Sequence, residues 1–401
     1  MPAFARSLFL AMMVAFAAAP HGALAADTFA TFVTALRPDA LAAGVSAATF
    51  DAAFAGLAAD PKVIAAAKVQ PEFRQTIHTY VDGRVTPARV AQGRALAQQW
   101  RPWLDRIEKK YGVDRYVVLA IWGLETNYGP AGGNSDTIRS LATLACCTER
   151  RPELFRAELI AALQILEAHD IAPRAMTGSW AGALGQTQFM PSSYLKYAVD
   201  MDGDGHRDIW RSVPDALASI ADYLQQHDWD AMKRWGYEVR LPANFDFAAI
   251  TAHEGQPVAA WEKLGIVAAD GKPIAERGAA WLFLPAGAKG PVFLTLQNFW
   301  AIKTYNISDS YTLSVGLLAD RLRGGGPLVG AWPAKEVALG RADLEALQRK
   351  LAALGHAIDK VDGKVGPSTR AALRAWQADN GILADGYPTP EMLTRIGVKG
   401  Q

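Results

Sequence analysis

Apolar and polar positions recur with a helical period along most of the 401-residue chain. Residues 27–110 are Ala-rich and read as several helices, with breaks at Arg37-Pro38-Asp39 and Asp60-Pro61. Thr86-Pro87-Ala88-Arg89 predicts a helix start with Pro in its first turn. The run Val117–Gly129, VVLAIWGLETNYG, is the centre of the pattern. No charge falls between Val117 and Leu124. Val118, Ile121, Trp122 and Leu124 leave no polar stripe, which predicts a helix buried on most sides. Asn127, Tyr128 and Gly129 mark its end. Residues 153–169 predict an amphipathic helix with Leu154, Ala157, Ile160, Ala161, Leu163 and Leu166 on its apolar face. Over 236–297 the helical period fades. Short runs at Glu238–Leu241, Ala280–Leu284 and Val292–Thr295, separated by Gly and Pro, predict a small sheet. Helical pattern returns at Phe299–Arg323. Gly324-Gly325-Gly326-Pro327 opens a linker over 324–338. A separate unit over 339–398 carries three helices. Leu344, Leu347, Leu351 and Leu354 mark the first, Ala372, Leu373 and Trp376 face inward from the second, and Pro390–Ile396 forms the third.

The first 25 residues depart from this pattern. Arg6, the apolar run Leu8–Pro20 and Ala23-Leu24-Ala25 read as an export signal with a small-x-small cleavage site. The run is short for a bilayer span, although an uncleaved anchor is the alternative. No cysteine follows the cleavage site, so a soluble chain without a lipid anchor is expected outside the cytoplasm. Forty-one Lys and Arg balance forty Asp and Glu, which argues against a nucleic-acid partner. Twelve Trp and eleven Tyr could furnish platforms for sugar rings or fill the core. Cys146 and Cys147 are adjacent and give neither a disulfide framework nor a zinc site. A vicinal disulfide is one reading; a pair of buried thiols is the one favoured here.

Three stretches carry candidate chemistry. Glu125 follows the apolar run at a helix terminus. Burial and the negative end of the helix dipole both disfavour its charged form, which suits a proton donor near neutral pH. The competing reading is a Glu satisfied by an Arg or by water. In Gly178–Tyr194, GSWAGALGQTQFMPSSY, the small residues Gly178, Ala181, Gly182 and Gly185 permit close backbone approach. Gln186 and Gln188 add neutral amides suited to uncharged sugar hydroxyls. A tight turn entering a helix would read the same way. Asp200–Arg211, DMDGDGHRDIWR, resembles a calcium loop. Asp200, Asp202 and Asp204 fall at the first three ligand positions, Gly205 at the sharp turn, His206 as a carbonyl donor and Asp208 further on. Arg211 stands where a bidentate Glu is usual, and Asp215 could close a longer loop. An Asp-Gly turn held by its own hydrogen bonds is the alternative.

Together these motifs resemble the murein transglycosylases of the membrane-bound lytic transglycosylase B type. The resemblance runs through Gly123-Leu124-Glu125-Thr126, Arg150-Arg151-Pro152, Gly178–Tyr194, and Tyr305-Asn306 with Tyr311, over roughly residues 27–323. Asp362–Gln377 separately resembles the peptidoglycan-binding repeat. The fold so implied is α+β, mainly α. It has a lysozyme-like catalytic core in 26–323, a helical N-terminal part, a β-containing insert at about 236–297 and a C-terminal three-helix module. The implied activity is cleavage of the β-1,4 bond between N-acetylmuramic acid and N-acetylglucosamine, leaving 1,6-anhydromuramic ends. Glu125 matches the family's acid/base. Tyr80, Arg151, Ser179, Gln188, Phe189, Tyr223, Tyr305, Asn306 and Tyr311 match its groove contacts. No cofactor is implied for the chemistry; a structural Ca2+ is implied at Asp200, Asp202, Asp204, His206 and Asp215. The resemblance further implies a periplasmic monomer acting on peptidoglycan strands alongside other cell-wall enzymes. Most glycosidases use two carboxylates, and this chain offers one well-placed Glu. One suffices if the substrate supplies its own nucleophile. A water-using muramidase and a non-catalytic wall-binding protein are the competing readings.

Overall fold

The computed structural model describes residues 21–68, 75–129, 132–149, 151–231, 233–250 and 255–398. Residues 1–20 of the expected leader and Arg150 lie outside them; residues 21–25 begin the helix His21–Ala42. The described residues form seventeen α-helices, a two-stranded pairing of Ser135–Asp136 with Thr177–Gly178 and one five-stranded sheet. No described helix is long and apolar enough to cross a membrane.

The expected buried helix is Arg115–Thr126. Asp114 caps its start by accepting a hydrogen bond from the Tyr116 amide at 2.8 Å. Every residue from Val117 to Gly123 is buried, and full burial of a side chain such as Ile121 contributes about 2–3 kcal/mol. The helix packs against Asp309–Arg323 and Val213–Gln225, in a core that also takes Leu104 and Ile107. A second core gathers His21–Ala42, Thr137–Cys147, Pro152–Glu167 and Pro191–Tyr197. Tyr223 and Tyr305 pack against both cores, and so mark the seam between them.

Three local expectations are corrected, and the second Ala-rich break is found where it was expected. The helix His21–Ala42 runs through Pro38 rather than breaking there, because Leu36 and Ala40 on either side of it are buried in the second core. Asp60-Pro61 is a break, with Pro61 opening the next helix. Leu154 is exposed, and the inner face of Pro152–Glu167 is Phe155, Leu159, Ala162, Leu163 and Leu166. The neighbouring helix Thr137–Cys147 sets that rotation, since it makes the main contact. Cys146 and Cys147 are joined as a vicinal disulfide rather than held as thiols. They stand where the backbone leaves the helix for an extended Thr148.

The insert forms a five-stranded antiparallel sheet in the order Gln256–Pro257, Ala279–Phe283, Val292–Thr295, Gly236–Arg240, Val267–Ala268. Its three longer strands overlap the three predicted runs, two of them offset by one or two residues. The helix Val258–Lys263 and the two-residue edge strands were not expected; they pack Val258, Trp261 and Ala268 under the sheet. The C-terminal helices Arg341–Ala353, Pro367–Asp379 and Pro390–Ile396 enclose their own small core around Leu347, Leu373 and Leu393. This unit docks on the insert. The Ala288 amide donates to Asp385 at 3.1 Å, and Arg370 donates to the Leu284 carbonyl at 3.3 Å. The Gly-rich stretch before it has neither helix nor strand, yet it is tied down. The Val329 and Gly330 amides donate to Glu238, and Trp332 stacks on His78 with ring centroids 5.1 Å apart.

Candidate active site

Glu125 sits half-buried in the last turn of its helix. The Tyr311 hydroxyl donates to its Oε1 at 2.6 Å. Burial pushes the carboxyl up to about 7, while the Tyr311 hydrogen bond and the positive charge of Arg84 hold it back. The helix C-terminus works in the same direction as burial. Burial, then the nearby Glu125 charge, drives the Tyr305 and Tyr311 hydroxyls well above their ordinary range, so both remain donors. Among the described residues, the groups acting on Glu125 are these two tyrosines and Arg84, with no second carboxylate.

The structure brings several expected groove residues together. Tyr305, Phe189 and Tyr223 form an aromatic cluster with centroids 4.8–5.7 Å apart. Tyr305 donates to the Thr187 carbonyl at 2.6 Å and Tyr223 to the Thr304 carbonyl at 2.7 Å. The first bond ties Gly178–Tyr194 to the helix Gln297–Tyr305, and the second ties that helix to Val213–Gln225. Gln188, at φ 53°, donates from Nε2 to Gly132 at 2.7 Å and to Gly185 at 2.9 Å. Ser179 accepts from the Ala183 amide at 3.0 Å, which leaves its own proton free to donate. Tyr80 lies beneath Arg84, whose guanidinium carbon is 5.2 Å from the ring centroid. Asn306 is exposed and accepts from the Ser308 amide at 3.1 Å. Arg151, at φ 51°, stands exposed before the helix Pro152–Glu167.

Close backbone approach explains the glycines. A Cβ on Gly178 would lie 2.1 Å from the Ala183 carbonyl oxygen, and one on Gly185 would lie 2.7 Å from that of Ile209. Gln186, expected to face sugar, is buried and structural instead. It accepts from Trp122 Nε1 at 3.0 Å and donates to the Trp210 carbonyl at 3.2 Å. Beside the apolar helix Arg115–Thr126, it supplies the acceptor that the buried indole needs. Arg84 was missed by sequence reasoning. Its signal was there, four residues after Tyr80 on one helical face.

The Asp200 loop is a distinct feature. Carboxylate oxygens of Asp200, Asp202 and Asp204 lie within 4.8 Å of one another. Asp200 accepts from the Gly203 and Gly205 amides, and Asp202 from the Ser212 hydroxyl. The exposed His206 donates its amide to Asp204. Asp215, expected as a further ligand, lies outside this trio. Its Oδ1 accepts from the Met201 and Asp202 amides and its Oδ2 from that of Asp208, at 2.8–3.3 Å. It is buried, and burial pushes it up to about 6. Three convergent hard oxygens fit a calcium ion; Asp215 builds the loop that holds them.

Fold and site define a lysozyme-like, mainly helical core with a half-buried carboxyl, Glu125, beside Tyr311 and Tyr305. The chain belongs to the transglycosylase SLT family, whose domain matches residues 28–320. A peptidoglycan binding domain matches residues 340–396. Membrane-bound lytic murein transglycosylase B of Escherichia coli (strain K12) is 35% identical over 238 residues, which is 58% of this chain and 63% of that protein. The crystal structure of SltB3 from Pseudomonas aeruginosa, in complex with NAG-anhNAM-pentapeptide, is 49% identical with a TM-score of 0.87. It covers 92% of this chain and 99% of its own. The Escherichia coli lytic transglycosylase Slt35 in complex with calcium is 26% identical with a TM-score of 0.61, over 74% of this chain and 92% of its own.

Proposed function

We propose that the protein is a lytic murein transglycosylase that cleaves the β-1,4 bond between N-acetylmuramic acid and N-acetylglucosamine, with Glu125 as acid and then base. The observation that carries this is the half-buried Glu125 carboxyl, pushed up to about 7, hydrogen-bonded by Tyr311 and lying near Tyr305 of the aromatic cluster. Near neutral pH a substantial fraction is protonated, as a general acid requires. Glu125 gives its proton to the glycosidic oxygen as that bond breaks. The substrate's acetamido oxygen closes on C1 and meets the developing positive charge. The carboxylate, now stabilised by the Tyr311 hydroxyl, takes the proton of the muramic O6 hydroxyl. O6 then attacks C1 and displaces the acetamido oxygen, which leaves a 1,6-anhydro end and restores neutral Glu125. Both reacting groups belong to one sugar, so proximity favours O6 over water. Ser179 and Asn306 orient the acetamido group. Arg151, Gln188, Tyr80, Phe189, Tyr223 and Tyr305 line the groove. The Pseudomonas relative's complex with an anhydromuramyl fragment supports this reading.

The same reading divides the chain into a leader at 1–25, a catalytic region at 26–323, a linker at 324–338 and a wall-binding module at 339–398. The enzyme then works as an exported monomer in the periplasm, and the module raises its effective concentration on the polymer. Asp200, Asp202 and Asp204 hold a structural Ca2+ that takes no part in the chemistry. Replacing Glu125 with Gln should cut release of anhydro fragments from purified peptidoglycan by about 10²–10⁴-fold. Undiminished release by mass spectrometry would sink the assignment.

A further inference from the structure

The helix that carries Glu125 ends on two consecutive left-handed residues, Asn127 at φ 56° and Tyr128 at φ 62°. Asn tolerates that conformation, whereas a bulky aromatic holds it only where its surroundings over-determine it. The seat of Tyr128 does so. Its ring meets Trp122 edge-on, with centroids 5.5 Å apart. A Cβ on Gly123, in the same helix, would lie 2.5 Å from the ring. One on Gly93, in the neighbouring helix Pro87–Gln99, would lie 2.4 Å from the hydroxyl oxygen. That hydroxyl is buried and makes no hydrogen bond among the described residues. The ring is therefore held by shape, in a slot that two glycines keep open.

A second anchor closes the same helix end. Arg89 donates from Nε to the Asn127 side-chain oxygen at 3.2 Å and from Nη1 to the Arg84 carbonyl at 2.6 Å. Gln92 donates to the Asn127 carbonyl at 3.4 Å. Arg89 thus joins the end of the helix Ile77–Arg84, which presents Tyr80 and Arg84, to the end of the helix that presents Glu125.

We propose that Tyr128, seated between Gly93 and Gly123, and Arg89, bridging Asn127 to the Arg84 backbone, are positioning residues that hold the Glu125 carboxyl against Tyr311. This deepens the transglycosylase reading and rests on its assignment of Glu125. The groups that face Glu125 are Tyr311 and Tyr305 from the two C-terminal helices of the catalytic region and Arg84 from the N-terminal part, with Tyr80 facing Tyr311. Tyr128 and Arg89 act behind that ring of partners. They fix where the helix end places the carboxyl and how much water reaches it.

The test pairs turnover with a readout that needs none. The Glu125 carboxyl is titrated by carbon-13 NMR in the full chain, assigned by its loss in Glu125→Gln, while kcat and KM are measured on purified peptidoglycan. Tyr128→Phe should match the wild type in both, since the hydroxyl is unpartnered. Tyr128→Leu empties the slot. It should lower kcat about tenfold or more with KM unchanged, and move the Glu125 titration towards the ordinary carboxylate range. Arg89→Lys should shift both in the same direction by less. A residue that merely stabilised the fold would lower the melting temperature without moving that titration. Should Tyr128→Leu fail to fold, Gly93→Ala presses on the same ring and should give its phenotype. A folded Tyr128→Leu or Gly93→Ala with unchanged kcat and titration overturns the proposal, as does Tyr128→Phe behaving like Tyr128→Leu. If the wild type releases no anhydro product, the reaction assignment fails while the titration still decides the lock.

Discussion

Glu125 and Asp215 are both carboxyls taken out of water, and both are pushed up by burial, to about 7 and about 6. They are spent differently. Asp215 uses both oxygens on the amides of Met201, Asp202 and Asp208, and so fixes a turn. Glu125 has one oxygen engaged, by Tyr311, among the described residues. A raised pKa alone therefore does not separate a proton donor from a structural carboxyl. The oxygen left without a partner among the described residues does.

The sharpest way to break this contrast is to remove the structural carboxyl. Asp215→Ala takes the acceptor away from three loop amides and should cost about 1–3 kcal/mol of stability. Thermal melting would read that loss, and at temperatures where the variant is folded its pH–rate profile should keep the wild-type midpoint. A shifted midpoint would mean that the loop acts on Glu125.

Tyr311→Phe probes the other side. The phenol favours ionised Glu125, so its loss should raise the carboxyl above about 7 and move the alkaline limb of kcat to higher pH. The rate should fall about tenfold, because in the proposed mechanism the carboxylate of the second half-reaction loses its donor. An alkaline limb that moves down would contradict the assigned hydrogen bond.

Glu125→Gln sharpens the linkage. A folded-state pKa above the unfolded one means that the folded protein binds the proton more tightly. That contribution is complete below the unfolded pKa, near 4.5, and is lost as pH rises through about 7. The neutral variant should therefore gain about 1–2 kcal/mol over the wild type at pH 8 and nothing near pH 4. Equal melting temperatures at both pH values would argue that Glu125 is solvated. The smallest effect concerns the loop itself. Millimolar calcium should raise the wild-type melting temperature by about 2–4 °C, and Asp202→Asn should abolish the rise. A shift that persists in Asp202→Asn would place the ion elsewhere.

Much of the Glu125 region was legible in the sequence because its signals are local. An uncharged run, a polar helix end and a carboxyl between them lie within thirteen consecutive residues, and the helix Arg115–Thr126 follows from them. The three longer strands and the three C-terminal helices were legible for the same reason. What escaped depends on contacts distant in the chain. Gln186 reads as a sugar ligand until Trp122, 64 residues away, is seen to claim it. Asp215 reads as a metal ligand until the loop amides are seen to fill it. Gly93 carries no local signal, since only Tyr128 from another helix explains it. The partner of Glu125, Tyr311, is 186 residues away. Motif resemblance pointed to it, and periodicity could not.

The most direct test is mass spectrometry of the fragments that the wild-type protein releases from purified peptidoglycan in water enriched in oxygen-18. A single carboxyl serving as acid and then base predicts 1,6-anhydromuramic ends that carry no heavy oxygen. Reducing ends labelled with oxygen-18 would show that water attacks C1, and would contradict the account.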